Sequence, residues 1–251
     1  MENNEAARRN FLNGRIRDLA RKWNFRPIEE MPGGHCSSVF ANETCVLKAP
    51  FRGEELTSGF HAALALSGNA GPRVMDADEA TGAVLMERAI PGYSLLGAKL
   101  SEEDSMQIAW DLAEQINEFA PRRAMPIEEY CDPDPLLPDL LRTTPRRVFL
   151  HGDLHHENIL RHGERWMAID PKGIVGDPAY EPAAFMRNPI SEIPLIANPE
   201  DLFRNRIRWF AKAGEMDPKR ICGWSLTDMR SFKSIAWKNA VAAIERIFAE
   251  L

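Results

Sequence analysis

The chain has 251 residues, 44% hydrophobic and 27% charged, which is enough for a genuine core in one large domain or two small lobes and too apolar for a disordered segment. Its formal net charge of −6 argues against a nucleic-acid partner, whose phosphates need a basic surface, and is compatible with a cationic small substrate. No apolar run of about 18 residues predicts a transmembrane helix, the N-terminal MENNEAARRN lacks a secretory core, and the scattered Cys36, Cys45, Cys131 and Cys222 form no C-x-x-C, which fits a reducing cytoplasm.

Residues 10–23 predict an amphipathic helix, with Leu12, Ile16, Leu19 and Trp23 on one face. The period then changes. Ile28 to Glu30 lead into Pro32-Gly33-Gly34, then Ser38-Val39-Phe40; Asn42-Glu43 reads as a hairpin turn, and Cys45-Val46-Leu47 as a short strand ending on Lys48. Residues 54–66 predict a helix closed by the Gly68 to Gly71 stretch. Arg73 to Asp76 and Ala83 to Glu87 predict two strands around Thr81-Gly82. Pro91-Gly92 breaks the chain, and the lobe boundary falls near it, giving a sheet lobe (1–88) and a helical lobe (89–251). Beyond the break, Ser101-x-x-Asp104 is a capping-box variant that opens a buried helix over 102–119, with Ile108, Leu112, Ile116 and Phe119 on one face. Residues 121–145 are proline-rich and irregular. Val148 to Leu150 and Met167 to Ile169 read as buried strands. Asn198-Pro199-x-Asp201 starts a helix ending near Gly214, and residues 227–249 predict a last one, with Phe232, Ala236, Ala240 and Ile244 or Ile247 facing inward. A mixed sheet lobe followed by a helical lobe is an α+β arrangement.

The chemistry is concentrated in VFLHGDLHHENILRHGERWMAIDPKGIVGDP, residues 148–178. His151-Gly152-Asp153, Asn158 and Asp170 each follow an apolar strand, and a loop after a rigid strand can present a side chain into a cleft. A hairpin from Ile159-Leu160 to Trp166–Ile169, turning at His162-Gly163-Glu164, brings Asp170 back beside Asn158. Phosphoryl transfer needs such a set. Mg²⁺ takes one or two oxygen ligands from protein, which Asn158 and Asp170 can supply, and a separate carboxylate, Asp153, can orient the attacking hydroxyl and accept its proton. Another reading uses His151, His155 and His156 beside Asp153, Asp170 and Asp177 as a metallohydrolase site, but it leaves the lysine strand and the glycine turn without a task.

HGDLHHENIL (151–160), AIDPKGIVGDPAYEPA (168–183) and, more loosely, GAVLMERAIPGYSL (82–95) resemble the aminoglycoside phosphotransferases, within them the streptomycin 6-phosphotransferase and hydroxyurea-kinase subfamily. The resemblance implies a protein-kinase-like two-lobed fold, with a small mixed antiparallel-sheet N-lobe and a larger helical C-lobe. It implies ATP and Mg²⁺ as cofactors and a small-molecule hydroxyl acceptor, cationic like streptomycin, as partner. Asp153 becomes the catalytic aspartate, Asn158 and Asp170 the metal ligands, and His151 a structural residue of the loop. Lys48 contacts the phosphates, and a lysine emerging from a short apolar strand also suits phosphate neutralisation on its own. Glu87 to Ala89 become the hinge that holds adenine, with Met86 behind it. The chain departs from the pattern in its phosphate loop, Pro32 to Ser38, which is no G-x-G-x-x-G; Gly33, Gly34, Ser37 and Ser38 can still present backbone and hydroxyl donors. The glutamate expected to hold Lys48 has no obvious place on the following helix, and Glu55 is assigned. The motif puts Asp153 and Asp177 at the acceptor, with Glu181 as a third carboxylate and the acidic segment 128–134 as a far wall. A metabolite kinase and a nucleotide-binding pseudokinase are the other readings, and the intact Lys48, Asp153, Asn158 and Asp170 speak against the second.

Overall fold

In a computed structural model of the chain, residues 14–31, 36–51, 53 and 56–251 are described. Residues 14–22 form helix α1, and Ile16 and Leu19 are buried as the spacing predicts; residues 10–13 lie outside the described residues. Strands β1 (Glu29–Glu30), β2 (Ser37–Ala41) and β3 (Cys45–Pro50) follow, then helix α2 (Ser58–Leu66), β4 (Val74–Asp78) and β5 (Ala83–Glu87). They form a five-stranded sheet in the order β1-β2-β3-β5-β4, antiparallel at every pairing. Period-2 alternation sorts its side chains. Leu47, Ala49, Ala83 and Leu85 pack with α1 and Phe25 into a small core. Val46, Lys48, Val84 and Met86 take the opposite face, with Val46 paired to Met86 and Lys48 to Val84. The predicted helix at 54–66 is shorter: α2 begins at Ser58.

The chain after β5 does not simply break. Pro91–Ser94 forms an edge strand, β6, against β9. Gly92 has φ +78°, and a Cβ there would stand 2.6 Å from the Ala89 carbonyl oxygen, so the turn after Ala89 requires glycine. Helix α3 (Glu102–Asn117) starts as the sequence predicts: Ser101 Oγ accepts from Asp104 N at 3.0 Å and donates to Asp104 Oδ2 at 2.7 Å. Leu112 and Ile116 of α3 lie in the large core with Phe149 and Leu150, and burying such a side chain contributes about 1.5–3 kcal/mol.

The stretch 121–145 is more ordered than its prolines suggest, holding β7 (Met125–Pro126), α4 (Ile127–Tyr130) and α5 (Leu137–Arg142). Next come β8 (Val148–Leu150), the antiparallel hairpin β9 (Ile159–His162) and β10 (Arg165–Ala168), and β11 (Ile174–Gly176). β11 pairs with β8 antiparallel and with β7 parallel. Helices α6 (Pro182–Met186), α7 (Glu200–Ala213), α8 (Pro218–Arg230) and α9 (Lys238–Glu250) complete the helical half. The single helix predicted at 227–249 is instead two helices. α8 is capped by Asp217, whose side chain accepts from Lys219 N, and ends at Arg230. Ser234 then caps a short 3-10 turn at 235–237, and Phe232 sits between helices with its ring on Trp237 at 4.7 Å. Ala240, Ile244 and Ile247 are buried on α9 as expected. No helix among the described residues is long and apolar enough to cross a membrane.

Candidate active site

Because β3 alternates, Lys48 leaves the sheet on its inner face, 2.9 Å from Asp170 Oδ1. Lys48, Met86, Glu87, Ala89 and Asp170 line one cavity between the sheet and the β9–β10 hairpin, with Val39, Val46 and Leu160 as apolar walls. At the hinge, the N–H groups of Glu87 and Arg88 donate to Arg73 O and Thr44 O at 2.9 and 2.8 Å. The Glu87 carboxylate accepts from Arg73 N and Arg165 Nη2 at 2.8 and 3.1 Å. The Ala89 N–H donates to no protein acceptor among the described residues. Ser37 shares the face of Val39 on β2, whereas Ser38 lies on the opposite face with Phe40. Gly33, Gly34 and Glu55 lie outside the described residues; the described residues of α2 carry no carboxylate.

The loop after β8 and the loop after β10 are laced together. Ile169 N donates to Asn158 O at 2.8 Å and Lys172 N to His151 O at 2.7 Å. His151 uses both ring nitrogens on backbone: Nδ1 accepts from Asp153 N at 3.2 Å and Nε2 donates to Ile169 O at 2.9 Å. Gly152 has φ +82°, and a Cβ there would meet Ile174 Cδ1 at 2.3 Å, so only glycine fits between the loop and β11. Asp170 sits at φ +61°, a region that Asp tolerates better than most residues. Asn158 Nδ2 donates to Asp153 O at 2.9 Å and lies 3.5 Å from Asp153 Oδ2. No described group donates to the Asn158 Oδ1 atom. That oxygen and the Asp170 carboxylate are hard oxygen donors of the number Mg²⁺ takes from protein, so the pair fits that ion. The histidines do not converge: His156 stacks on Phe185 at 4.0 Å, and its Nδ1 is buried without a partner. Among the described residues no group of three or more His, Cys, Asp or Glu side chains could hold a metal, so the hydrolase reading has no ligand set there.

Asp153 is held by cations. Arg187 Nη2 donates to its Oδ1 at 2.6 Å, and Lys172 Nζ stands 3.8 Å from its Oδ2. Burial pushes the Asp153 carboxyl up, but Arg187, His155 and Lys172 together win and bring it down to about 2. Burial pushes Asp170 up as well, but Lys48, with Lys172 and His151, brings it below its ordinary value.

Two carboxylates assigned to the acceptor prove to be structural. Asp177 is 0% exposed. Its Oδ1 accepts from Ala179 N at 3.0 Å, and its Oδ2 accepts from Trp224 Nε1 at 2.9 Å and from Arg220 Nε. It therefore anchors α8 and cannot face a substrate. Glu181, 3% exposed, accepts from His151 N at 2.8 Å and Gly152 N at 3.1 Å, so it holds the loop that carries Asp153. Burial pushes it up to about 7, despite both hydrogen bonds. The acidic segment is also partly spent, Glu128 on Arg147 and Asp134 on Arg230. Asp132 of that segment lines a cavity, together with Tyr130, Tyr180, Arg187, Asp228 and Phe232. Arg187, Asp228 and Lys172 were not singled out in the sequence. Arg187 follows an apolar run, PAAFM, and a cation ending a buried turn was the available signal.

The buried histidines predict an acid-sensitive fold. Burial brings His151 and His155 down to about 4 and His156 to about 3. The stability they contribute is present above the ordinary histidine value of 6.5 and lost as pH falls through these folded values, because the unfolded chain binds protons that the native one refuses. Each titrating group accounts for about 1.4 kcal/mol per pH unit. Glu181 acts oppositely: its contribution is present below 4.5 and lost as pH rises through about 7. Asp228, also pushed up by burial, acts in the same sense as Glu181; with three groups against two, urea midpoints should fall from pH 7 to pH 5. A flat or rising midpoint would mean that the histidines are charged in the native chain.

The family model for aminoglycoside/hydroxyurea antibiotic resistance kinases matches residues 122–242. The chain is 33% identical over 189 residues to a streptomycin 3''-kinase of Klebsiella pneumoniae, covering 65% of this chain and 66% of that one. It is 25% identical over 217 residues to a streptomycin 6-kinase of Streptomyces griseus, covering 76% and 69%. The matches thus span about two thirds of these relatives' lengths. The fold is similar to that of the choline kinase LicA from Streptococcus pneumoniae, with a TM-score of 0.63, 11% identity and coverage of 96% and 100%. It is a protein-kinase-like fold.

Proposed function

The chain belongs to the aminoglycoside phosphotransferase family, and on that footing we propose that it moves the γ-phosphoryl group of ATP to a hydroxyl of a small cationic molecule, an aminocyclitol antibiotic such as streptomycin. The observation that carries this reading is the meeting of Asp153, Asn158 and Asp170 on two laced loops, at the end of a cavity that Lys48 also lines. Adenine fits between Val46, Met86 and Leu160, with the Ala89 N–H as donor. Lys48 supplies positive charge toward the phosphates. Asn158 and Asp170 would hold Mg²⁺, which when bound neutralises charge on the β- and γ-phosphoryl oxygens. Asp153 orients the acceptor hydroxyl and takes its proton. A carboxylate near pKa 2 is a weak base, which suits a loose transition state in which positioning dominates and the proton leaves late. The Asp132 and Asp228 cavity next to Arg187 offers carboxylates to an acceptor's guanidinium or ammonium groups, each of which needs a partner once desolvated.

A coupled ADP-release assay against streptomycin, other aminoglycosides, hydroxyurea, choline and sugars tests this. Streptomycin should be the best acceptor, and added salt should weaken its binding, since exposed attraction is screened beyond about 8 Å at physiological ionic strength. A neutral or anionic best acceptor would withdraw the antibiotic reading and leave the kinase chemistry. The metal assignment has its own check. Asp170→Ala should weaken nucleotide binding by about tenfold or more in Mg²⁺, the effect of a lost ion pair of roughly 1.4 kcal/mol or above, and change metal-free binding much less. Calorimetric titrations with equal losses in both conditions would make Asp170 structural.

A further inference from the structure

Asp153 does not stand free in its loop. Arg187 Nη2 donates to Asp153 Oδ1 at 2.6 Å while Nε of the same guanidinium donates to Asp228 Oδ2 at 2.8 Å. Tyr180 Oη donates to the other Asp228 oxygen at 3.3 Å, and the guanidinium carbon lies 5.5 Å from the centre of the Phe232 ring. Arg187 is buried, 9% exposed, and the Asp228 side chain is mostly covered, 11% exposed. A planar group fixed at two of its nitrogens by two carboxylates and flanked by a ring cannot turn. These contacts come from three elements, the 3-10 turn at 178–180, the end of α6 and the end of α8, and they converge on one oxygen of Asp153. The other oxygen, Oδ2, faces Asn158 Nδ2 at 3.5 Å and Lys172 Nζ at 3.8 Å.

We propose that Arg187, itself held by Asp228, is a positioning residue for Asp153: it occupies Oδ1, sets the rotation of the carboxylate, and so leaves Oδ2 as the oxygen presented to the acceptor hydroxyl. The inference rests on the phosphotransferase reading for its catalytic part, and on geometry alone for the hold of Arg187 on Asp153. A bare aspartate has two equivalent oxygens and a nearly free final torsion. A base whose proton-accepting oxygen is predetermined needs less reorganisation when the acceptor arrives, and misplacement by about 1 Å can cost 10²-fold in rate. The groups around Asp153 are Arg187, His155, Lys172 and Asn158, with His151, Glu181 and Asp228 also within its field; Arg187 leads the groups that lower its carboxyl against the upward push of burial. Asp228 completes the chain of contacts; burial pushes its carboxyl up, and Arg187 and Tyr180 offset that only in part. Both Arg187 and Asp228 line the cavity with Asp132 and Tyr130, so the group that orients the base also forms a wall of the proposed acceptor site.

Three variants of the full chain test this: Arg187→Met, Arg187→Lys and Asp228→Asn, with thermal melting and MgATP titration as folding controls. With streptomycin as acceptor, Arg187→Met should lower kcat by about 10²-fold, leave the KM for ATP nearly unchanged, and move the acid limb of the kcat profile upward into the measurable range. Arg187→Lys should return most of the acid limb and part of kcat, because it restores the charge without the fork. Asp228→Asn should act in the same direction more weakly. The proposal is overturned if Arg187→Met raises only the acceptor KM with the acid limb unmoved, since Arg187 would then serve acceptor binding alone. It is overturned equally if every variant loses ATP affinity and melting temperature in proportion to kcat. A second readout does not depend on any acceptor: carbonyl-labelled aspartate NMR, with Asp153 assigned from Asp153→Asn. Within the pH range where both chains stay folded by far-UV circular dichroism, the Asp153 carboxyl should begin to protonate in Arg187→Met while that of the parent chain stays ionised, and a carboxyl unchanged in both refutes the hold. If the parent chain phosphorylates no acceptor, the functional reading fails while this titration still decides the role of Arg187.

Discussion

Asp153→Asn should lower turnover by at least about 10²-fold, the low end for a positioned acid–base group, with little change in MgATP affinity. Asparagine keeps the shape and can still accept from Arg187 through Oδ1. It cannot take a proton from the acceptor hydroxyl. The nucleotide side of the site should survive, because Asn158 is held by the backbone oxygen of Asp153, at 2.9 Å, and Lys48 pairs with Asp170. Electrostatics make the change more than local. Arg187 and Lys172 share Asp153, and with the carboxylate neutralised Asp228 is the remaining anion on Arg187. A modest fall in melting temperature should therefore accompany the kinetic loss, since leaving a buried charge partly uncompensated is costly. The two effects separate by measuring kcat well below the melting transition. Near-normal turnover there would remove Asp153 from its assigned role, whatever the melting curve does.

What was readable in the sequence is the part of the site written in local periodicity. The alternation of Cys45 to Pro50 determines which face Lys48 takes, and the apolar strands around His162-Gly163-Glu164 determine that Asp170 returns beside Asn158; both follow from a period of two and a hairpin. Asp177 and Glu181 were misassigned for a physical reason. An acidic residue after a strand looks the same whether it faces solvent, a ligand or a buried donor. What decides is the partner: Arg220 and Trp224 for Asp177, the amides of His151 and Gly152 for Glu181. Those partners lie about thirty to fifty positions away in the chain. The Asp153–Arg187–Asp228 contacts are equally non-local. The break between α8 and α9 was hidden for the opposite reason, because Phe232, Ala236 and Ala240 are apolar and keep a helical spacing across a turn that Ser231 and Ser234 terminate and restart.

Glu181→Ala should be among the most destabilising single changes in the chain, and it should abolish most activity without touching either substrate. The substitution strips the acceptor from two buried backbone donors, His151 N and Gly152 N. Each orphaned donor costs about 1–3 kcal/mol, so the pair costs roughly 2–6 kcal/mol, a large share of the 5–15 kcal/mol by which a domain is stable. No water can replace the carboxylate cheaply at a site only 3% exposed. Glu181→Gln is the sharper test. Its amide oxygen can accept from one of the two N–H groups, while its NH₂ must face the other, so the loss should be intermediate. Its pH dependence is also distinctive. In the parent chain, burial favours the protonated form of Glu181, so its contribution is present below pH 4.5 and lost as pH rises through about 7; the glutamine does not titrate. The stability gap between the parent and Glu181→Gln should therefore narrow from pH 5 to pH 8. Kinetically both variants should lose kcat, since the loop carrying Asp153 shifts. If Glu181→Gln instead raises the acceptor KM alone, with stability unchanged across that range, the carboxylate faces the acceptor after all and its hold on the catalytic loop is not what the protein uses it for.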